Sequence, residues 1–288
     1  LLWLSFYQHN PHIEPKIIAM NIIASIQMVS TTRRADNLAE VERLLLQAKQ
    51  AGAELALLPE NFPMMAQEDA GVLSIKESIG QGPIQDFLSQ QARKHAMWIV
   101  AGTMPIASED PEKVYAACLI YDAQGERVAR YDKIHLFDVE LEGDESYKES
   151  ATMMAGSQPL VIDTPFARLG IAICYDLRFP EMFRCLIDQG AELIAVMAAF
   201  TATTGEAHWE CLLRARAIEN LCYIAASNQG GLHENGRETF GGSMIIDPWG
   251  RVKNRLEQGA GVVTAEIDIA TMQQTRQSFP CLQHRKIS

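Results

Sequence analysis

Among 288 residues there are six cysteines (118, 174, 185, 211, 222 and 281), yet no Cys-x-x-Cys pair and no paired histidine spacing. That argues against a zinc site or a disulfide framework and favours a reducing, cytoplasmic setting. No apolar run reaches the ~20 residues that a membrane-spanning helix needs. The apolar stretch Leu1–Phe6 is short and has no basic stretch before it, so it does not read as a signal peptide. Basic residues are in deficit, with 25 Lys and Arg against 36 Asp and Glu, a net charge of −11. A nucleic-acid binder carries a basic patch, and none is evident. Linkers, low-complexity tracts and short-period repeats are also missing.

The chain is 48% hydrophobic and 21% charged, enough for one large domain or two small ones. It does not begin with Met, whereas Met20 directly precedes a good strand, and Gln8–Lys16 is polar with two prolines. Residues 1–19 therefore read as an N-terminal extension, either foreign to the native domain or a tail that packs on a partner chain.

Apolar spacing organises the remainder. Ile22–Met28 reads as a strand. Apolar residues at 38, 41, 44, 45 and 48 give Asn37–Gln50 helical spacing, with Gly52 where a C-cap belongs. Leu55–Leu58 is a short buried strand that runs into Pro59-Glu60-Asn61-Phe62. Gly82–His95 reads as a helix started by Pro83, and Trp98–Gly102 as a strand. Tyr115–Asp122 and Val128–Lys133 look like antiparallel partners across the turn Asp122–Gly125. Residues 138–159 are polar and without periodicity, which predicts a functional loop. Further on, Leu193–Ala198, Cys222–Ser227, Ser243–Ile246 and Gly261–Ile267 read as strands. Ala207–Asn220 reads as a helix, Asp247–Gly250 as a turn, and a short helix and a polar tail end the chain. Both halves run strand, helix, strand, helix, hairpin-like pair, which predicts an α/β sandwich with sheets inside and helices outside.

One stretch is dense in signals: Leu169-Gly-Ile-Ala-Ile-Cys-Tyr-Asp-Leu-Arg-Phe-Pro-Glu-Met-Phe-Arg184. Ile171–Ile173 reads as a buried strand that delivers Cys174 to its end. Residues 176–179 turn the chain, and Pro180 with Glu181 starts a helix. A lone cysteine there would ordinarily be a core residue. Two other strand ends carry reactive groups as well: Glu60 after Leu-Leu-Pro, and Lys133 in Arg130-Tyr-Asp-Lys-Ile-His-Leu-Phe-Asp138.

Together these resemble the Glu-Lys-Cys triad of the nitrilase superfamily of carbon–nitrogen hydrolases. The resemblance spans residues 21–285. It rests on 58–62 (Leu-Pro-Glu-Asn-Phe), 133–138 (Lys-Ile-His-Leu-Phe-Asp) and 174–181 (Cys-Tyr-Asp-Leu-Arg-Phe-Pro-Glu). It rests also on 207–210 (Ala-His-Trp-Glu), 214–220 (Arg-Ala-Arg-Ala-Ile-Glu-Asn) and 247–250 (Asp-Pro-Trp-Gly). It implies a single domain over 20–288 with a four-layer αββα sandwich, a homodimer whose sheets stack across the interface, and no metal or organic cofactor. Helices 181–191 and 207–220 are the candidate dimer faces.

The implied roles make chemical sense. A thiol is mostly protonated at neutral pH and needs a base. Glu60 would take that proton, as a carboxylate can where burial raises its pKa toward neutrality. The ammonium of Lys133 and the backbone N–H of Tyr175 would stabilise the oxyanion. Glu60 would protonate the leaving amine, and water would then hydrolyse the Cys174 thioester. Glu149 matches the family's second glutamate and would orient Lys133. Arg178 either binds a substrate carboxylate or braces the elbow through Glu181 or Asp176. A papain-like Cys-His pair using His135 is the other option for a base, but a structural role suits His135 better. Cys185, Cys211 and Cys222 fall on apolar positions and read as core.

Residues 200–209 (Phe-Thr-Ala-Thr-Thr-Gly-Glu-Ala-His-Trp) look most like the branch that hydrolyses deaminated glutathione to 2-oxoglutarate and cysteinylglycine. The neighbouring ω-amidase branch acts on 2-oxoglutaramate and more often has Asn where this chain has Thr201, a swap that would retune the pocket. Gly242 departs from the family pattern, in which His is common. Two rivals come from other classes: a catalytically silent scaffold on the same fold, and a redox sensor acting through Cys174.

Overall fold

Along Asn21–Gln27 the side chains alternate between two apolar neighbourhoods, Ile23 in one and Ala24 and Ile26 in the other. Leu55 and Leu57 part from Ala56 and Leu58 in the same way. Period-two burial on both faces marks an interior strand. The computed structural model describes residues 21–140 and 146–287, so the extension expected at 1–19 lies outside the described residues.

The first sheet runs in the order Gly261–Ile267, Asn21–Gln27, Leu55–Leu57, Trp98–Ala107, Val114–Tyr121, Arg127–Asp132. The second runs Val161–Asp163, Arg168–Ile173, Leu193–Ala198, Tyr223–Asn228, Ser243–Ile246, Val252–Leu256. In those orders, each sheet pairs antiparallel, parallel, parallel, antiparallel, antiparallel. The repeat expected between the halves is therefore real. The sheets face each other, with Asn21–Gln27 against Tyr223–Asn228. Helices α1 (Arg34–Gln50) and α2 (Pro83–His95) cover the outside of the first sheet through Val41, Leu44, Leu45, Ile84 and Leu88. Helices α3 (Pro180–Asp188) and α4 (Ala202–Asn220) pack on the second through Phe183, Leu186, Trp209 and Leu213. The layering is αββα.

A buried polar seam ties the two sheets together. The Ser227 hydroxyl accepts from the Ile26 N–H and donates to the Leu57 carbonyl, both at 3.0 Å. Gln229 accepts from the Ser30 N–H at 3.0 Å and donates to the Ser30 hydroxyl and the Glu60 carbonyl at 2.8 and 2.9 Å. Buried polar groups left unpaired are costly, so these bonds fix the relative setting of the sheets.

Several segments differ from the sequence reading. The region 138–159 is not a structureless loop among its described residues. Asp138–Glu140 pairs with Ser146–Lys148, a 3-10 turn spans Glu149–Ala151, and Met153–Met154 joins the first sheet. Strands of two or three residues are too short to display a period. Helix α4 begins at Ala202 rather than Ala207, because Thr201 caps it and its first turn is polar. Trp98–Ala107 continues past Gly102 through an irregularity between Ala101 and Met104. The hairpin of Gly230–Leu232 with Glu238–Phe240 lies in a polar stretch where no element is expected.

Candidate active site

The three expected groups meet where strands of both sheets end. Glu60 follows Leu55–Leu57 in a turn that crosses directly over Gly102. A Cβ at Gly102 would lie 1.9 Å from the Pro59 carbonyl oxygen, so the approach requires glycine. Asn61 completes the turn in the left-handed region at φ 57°. Lys133 leaves the end of Arg127–Asp132. Cys174 ends Arg168–Ile173 and opens a 3-10 turn at φ 47°, a conformation rare for a residue with a Cβ. Glu60, Lys133 and Cys174 are 4%, 2% and 8% exposed, so water competes little for their interactions.

Lys133 Nζ donates to Glu60 Oε1 at 2.8 Å and to both oxygens of Glu149 at 2.9 Å. The Ala199 N–H donates to Glu60 Oε2 at 2.8 Å, and the Phe137 N–H to Glu149 Oε2 at 2.6 Å. Cys174 and Glu60 line the same cleft. Burial opposes the ammonium of Lys133, but Glu149 and Glu60 more than offset it and hold its pKa well above the ordinary lysine value. Burial also lifts the Glu149 carboxyl above the usual range, against the pull of Lys133. Burial, with Glu60 adding, pushes the Cys174 thiol upward. The cluster thus holds a permanent ammonium and a thiol that stays protonated until a base takes its proton.

Asp176 enters the sequence reading only as a turn residue and a possible partner of Arg178, and its position is different. Fully buried, it accepts from the Tyr131 hydroxyl at 2.7 Å, the Ile173 N–H at 2.8 Å, and the His135 N–H and Nδ1 at 3.1 and 2.7 Å. It therefore ties the segment bearing Lys133 to the elbow bearing Cys174. The His135 ring stacks on Phe179, with centroids 3.7 Å apart. That gives His135 the structural position expected and leaves the Cys-His alternative without geometry. The signal for Asp176 was an acid two residues past a buried cysteine, which no local pattern distinguishes from a turn residue.

Two hollows meet at Cys174. A wide cleft is bordered by Glu60, Lys133, Glu149, Met64 and Asn235. A narrow one is bordered by Tyr175, Arg178, Phe200, Thr201 and Thr204. Cys174, Phe137 and Arg237 border both. Arg178 forms no ion pair with Glu181 or Asp176; its Nη1 lies 3.2 Å from His208 Nδ1 and its guanidinium 5.2 Å from the Phe200 ring centre. The elbow-bracing alternative is thus not what the geometry holds. Thr201 walls the narrow hollow while its hydroxyl caps α4, accepting from the Thr204 N–H at 3.3 Å. Gly242, at φ 66°, borders neither hollow; its carbonyl accepts from the Trp209 indole at 2.8 Å. The departure at Gly242 therefore sits behind the α4 packing and away from the reacting groups. Arg237 is missed by the sequence reading, since it lies at a polar hairpin tip with no chemical motif around it.

Comparison with known proteins agrees with this arrangement. Residues 22–277 match the carbon-nitrogen hydrolase family. Over 266 residues the chain is 42% identical to the deaminated glutathione amidase of Yersinia enterocolitica, covering 92% of each chain. The crystal structure of the NitFhit protein of C. elegans superposes with a TM-score of 0.86 at 35% identity, over 92% of this chain and 65% of that longer one. The structure of a mutant amidase from Nesterenkonia sp. AN1, to whose active-site cysteine acrylamide has added, gives a TM-score of 0.75 at 26% identity over 91% of this chain and 99% of that one. With the sandwich, the motifs and the family match all spanning nearly the whole described region, this chain belongs to the carbon-nitrogen hydrolase family.

Proposed function

We propose that the protein is an amidase that hydrolyses the linear amide of deaminated glutathione to 2-oxoglutarate and cysteinylglycine through a thioester on Cys174. The observation that carries this reading is the buried ammonium of Lys133, gripped by Glu60 and Glu149 beside a strained cysteine where two hollows join. The substrate choice is supported by the relatives that share 38–42% identity and bear that name.

The residues act in sequence. Glu60 takes the thiol proton as Sγ attacks the amide carbon. The high pKa of the thiol makes proton loss and attack concurrent, so no free thiolate accumulates. Negative charge grows on the amide oxygen, where the Lys133 ammonium and the Tyr175 N–H receive it; one such donor lowers the barrier by about 3 kcal/mol. The tetrahedral adduct collapses as Glu60 returns the proton to the leaving nitrogen. The amine departs and the acyl group stays on Sγ as a thioester. Glu60 then takes a proton from water, which adds to the thioester carbon; collapse releases the carboxylic acid and restores the thiol. Glu149 holds Lys133 in place throughout. Arg178, over the narrow hollow with Thr201 in its wall, receives the carboxylate of the 2-oxo acid.

The test is 2-oxoglutarate release from deaminated glutathione and, separately, from 2-oxoglutaramate, by the native protein and by Cys174→Ala. The expected result is turnover by the native protein with deaminated glutathione preferred, and loss of at least about a thousand-fold in the variant. A clear preference for 2-oxoglutaramate would assign the protein to ω-amidase chemistry. Turnover of neither, with no Cys174 adduct across an amide panel, would favour a silent scaffold.

We further infer a cytoplasmic homodimer. All six cysteines are free, as a reducing compartment keeps them. The apolar Ile218, Trp249 and Phe279 are about half exposed, at 48%, 56% and 51%, and offer an interface. Sedimentation at micromolar concentration decides the assembly.

A further inference from the structure

Arg237 occupies a position with no counterpart in the mechanism above. Its Nη2 donates to the Ala199 carbonyl at 3.1 Å, and the N–H of that same Ala199 holds Glu60. The guanidinium therefore stands one peptide unit from the proposed base. Its Cζ lies 5.1 Å from the Tyr147 ring centre. Its Nε is buried without a partner, and Arg237 forms no ion pair among the described residues. A buried N–H of a cation without a partner is expensive. The hairpin that carries it is braced. Asn235 Oδ1 accepts from the Arg237 N–H at 3.0 Å, Asn235 Nδ2 donates to the Ala66 carbonyl at 2.7 Å, and the buried His233 bridges Ser30 and Thr239.

The two hollows divide the substrate. Glu60, which must protonate the leaving nitrogen, borders the wide cleft and not the narrow hollow. Arg178 and Thr201 border the narrow hollow and not the wide cleft. On that division the acyl half is directed toward Arg178 and Thr201 and the leaving amine toward Glu60. A leaving dipeptide extends at most about 7 Å, so its terminal carboxylate stays near the cleft wall. The cations on that wall are Lys133, Lys148 and Arg237. Lys133 is held at the reacting centre by two carboxylates, where the oxyanion needs it, and Lys148 is exposed to water. Arg237 is half-buried and without an ion pair among the described residues, and its planar fork suits a carboxylate.

We propose that Arg237 is the receptor for the terminal carboxylate of the leaving half of the substrate, and so the residue that selects a peptidyl amide over a primary amide. The proposal rests on the amidase reading and extends it. The experiment compares kcat/KM of the native protein, Arg237→Met and Arg237→Lys on three substrates: deaminated glutathione, the same compound with its C-terminal carboxylate converted to an amide, and 2-oxoglutaramate. In the native protein the free acid should exceed its C-terminal amide by about ten- to a hundred-fold, the worth of a charge-assisted pair. In Arg237→Met that ratio should collapse toward one, with the loss borne by KM, and the preference for deaminated glutathione over 2-oxoglutaramate should fall by a similar factor. Arg237→Lys should restore part of both ratios. An undiminished ratio in Arg237→Met overturns the proposal, as does an equal fall on all three substrates. A native protein that hydrolyses 2-oxoglutaramate yet ignores the terminal carboxylate also overturns it while leaving the amidase reading intact. A native protein that hydrolyses none of the three overturns the amidase reading first, and this one with it.

Discussion

Lys133 directs its ammonium to three carboxylate oxygens, one on Glu60 and two on Glu149. A lysine so held keeps a fixed positive charge, in the place where the proposed mechanism develops the oxyanion. Glu149 supplies two of those contacts, yet burial raises its own pKa. As pH falls, Glu149 is therefore protonated earlier than an ordinary glutamate and releases Lys133. The native kcat/KM should decline on the acid side through that raised pKa. Glu149→Gln cannot be protonated, so its profile should lack this limb, while its plateau falls by about a hundred-fold. Steady-state rates between about pH 4 and 8 check both; a variant with the native profile and rate would remove Glu149 from the reaction. At this scale Glu60, Lys133, Glu149 and Cys174 were legible because each sits in a motif. Asp176 and Arg237 were not, because what makes them matter is partners far off in the chain: Tyr131 and His135 for one, Ala199 and Tyr147 for the other.

Elements place these residues through backbone conformations that sequence marks only faintly. The Glu60 turn rests on the strand Trp98–Ala107 at Gly102, where a Cβ would meet the Pro59 carbonyl carbon at 2.4 Å and its oxygen at 1.9 Å. The obstacle is backbone, which cannot rotate aside. Gly102→Ala should destabilise the fold by about 3 kcal/mol or more and displace Glu60. Urea unfolding measures the first effect. The second appears as activity lost beyond the folded fraction, and a variant of native stability would show that the turn can shift freely. Thr201 illustrates a shared duty, since its hydroxyl caps α4 and its body walls the narrow hollow. Asn also caps helices, so exchange between the two at this position alters the pocket at little expense in stability.

The molecule as a whole is two alike halves joined face to face, and the junction is polar where the strands end at the site. His233 belongs to that junction. Its Nδ1 donates to the Ser30 carbonyl at 2.9 Å, and its Nε2 lies 2.8 Å from the Thr239 hydroxyl. Burial lowers the pKa of the ring from its usual value, against the bond to the Ser30 carbonyl. His95 is lowered by burial as well. A histidine whose folded pKa is depressed binds its proton more readily when unfolded. Its stabilisation is therefore full above about pH 6.5 and is lost as pH falls below that value. The urea midpoint should drop between about pH 7.5 and 5.5, and His233→Asn should flatten that slope while lowering stability at the upper end. An unaltered slope in the variant would mean that the ring binds its proton equally well in both states.

The sequence by itself determined an α/β sandwich with helices outside the sheets, the longer strands and helices of both halves, and the residues Glu60, Lys133, Glu149 and Cys174 that the fold brings together, because burial periodicity and short motifs are local properties of a chain. It left the short hairpins at 138–148 and 230–240 unread, since strands of three residues carry no period. Only the tertiary structure decided that Asp176 ties the lysine segment to the cysteine elbow and that Arg178 is free of Glu181. It alone brought Arg237 to the Ala199 that also holds Glu60, in the wall of both hollows. These are long-range contacts, created by the packing of one sheet on the other, and no window of neighbouring residues contains them.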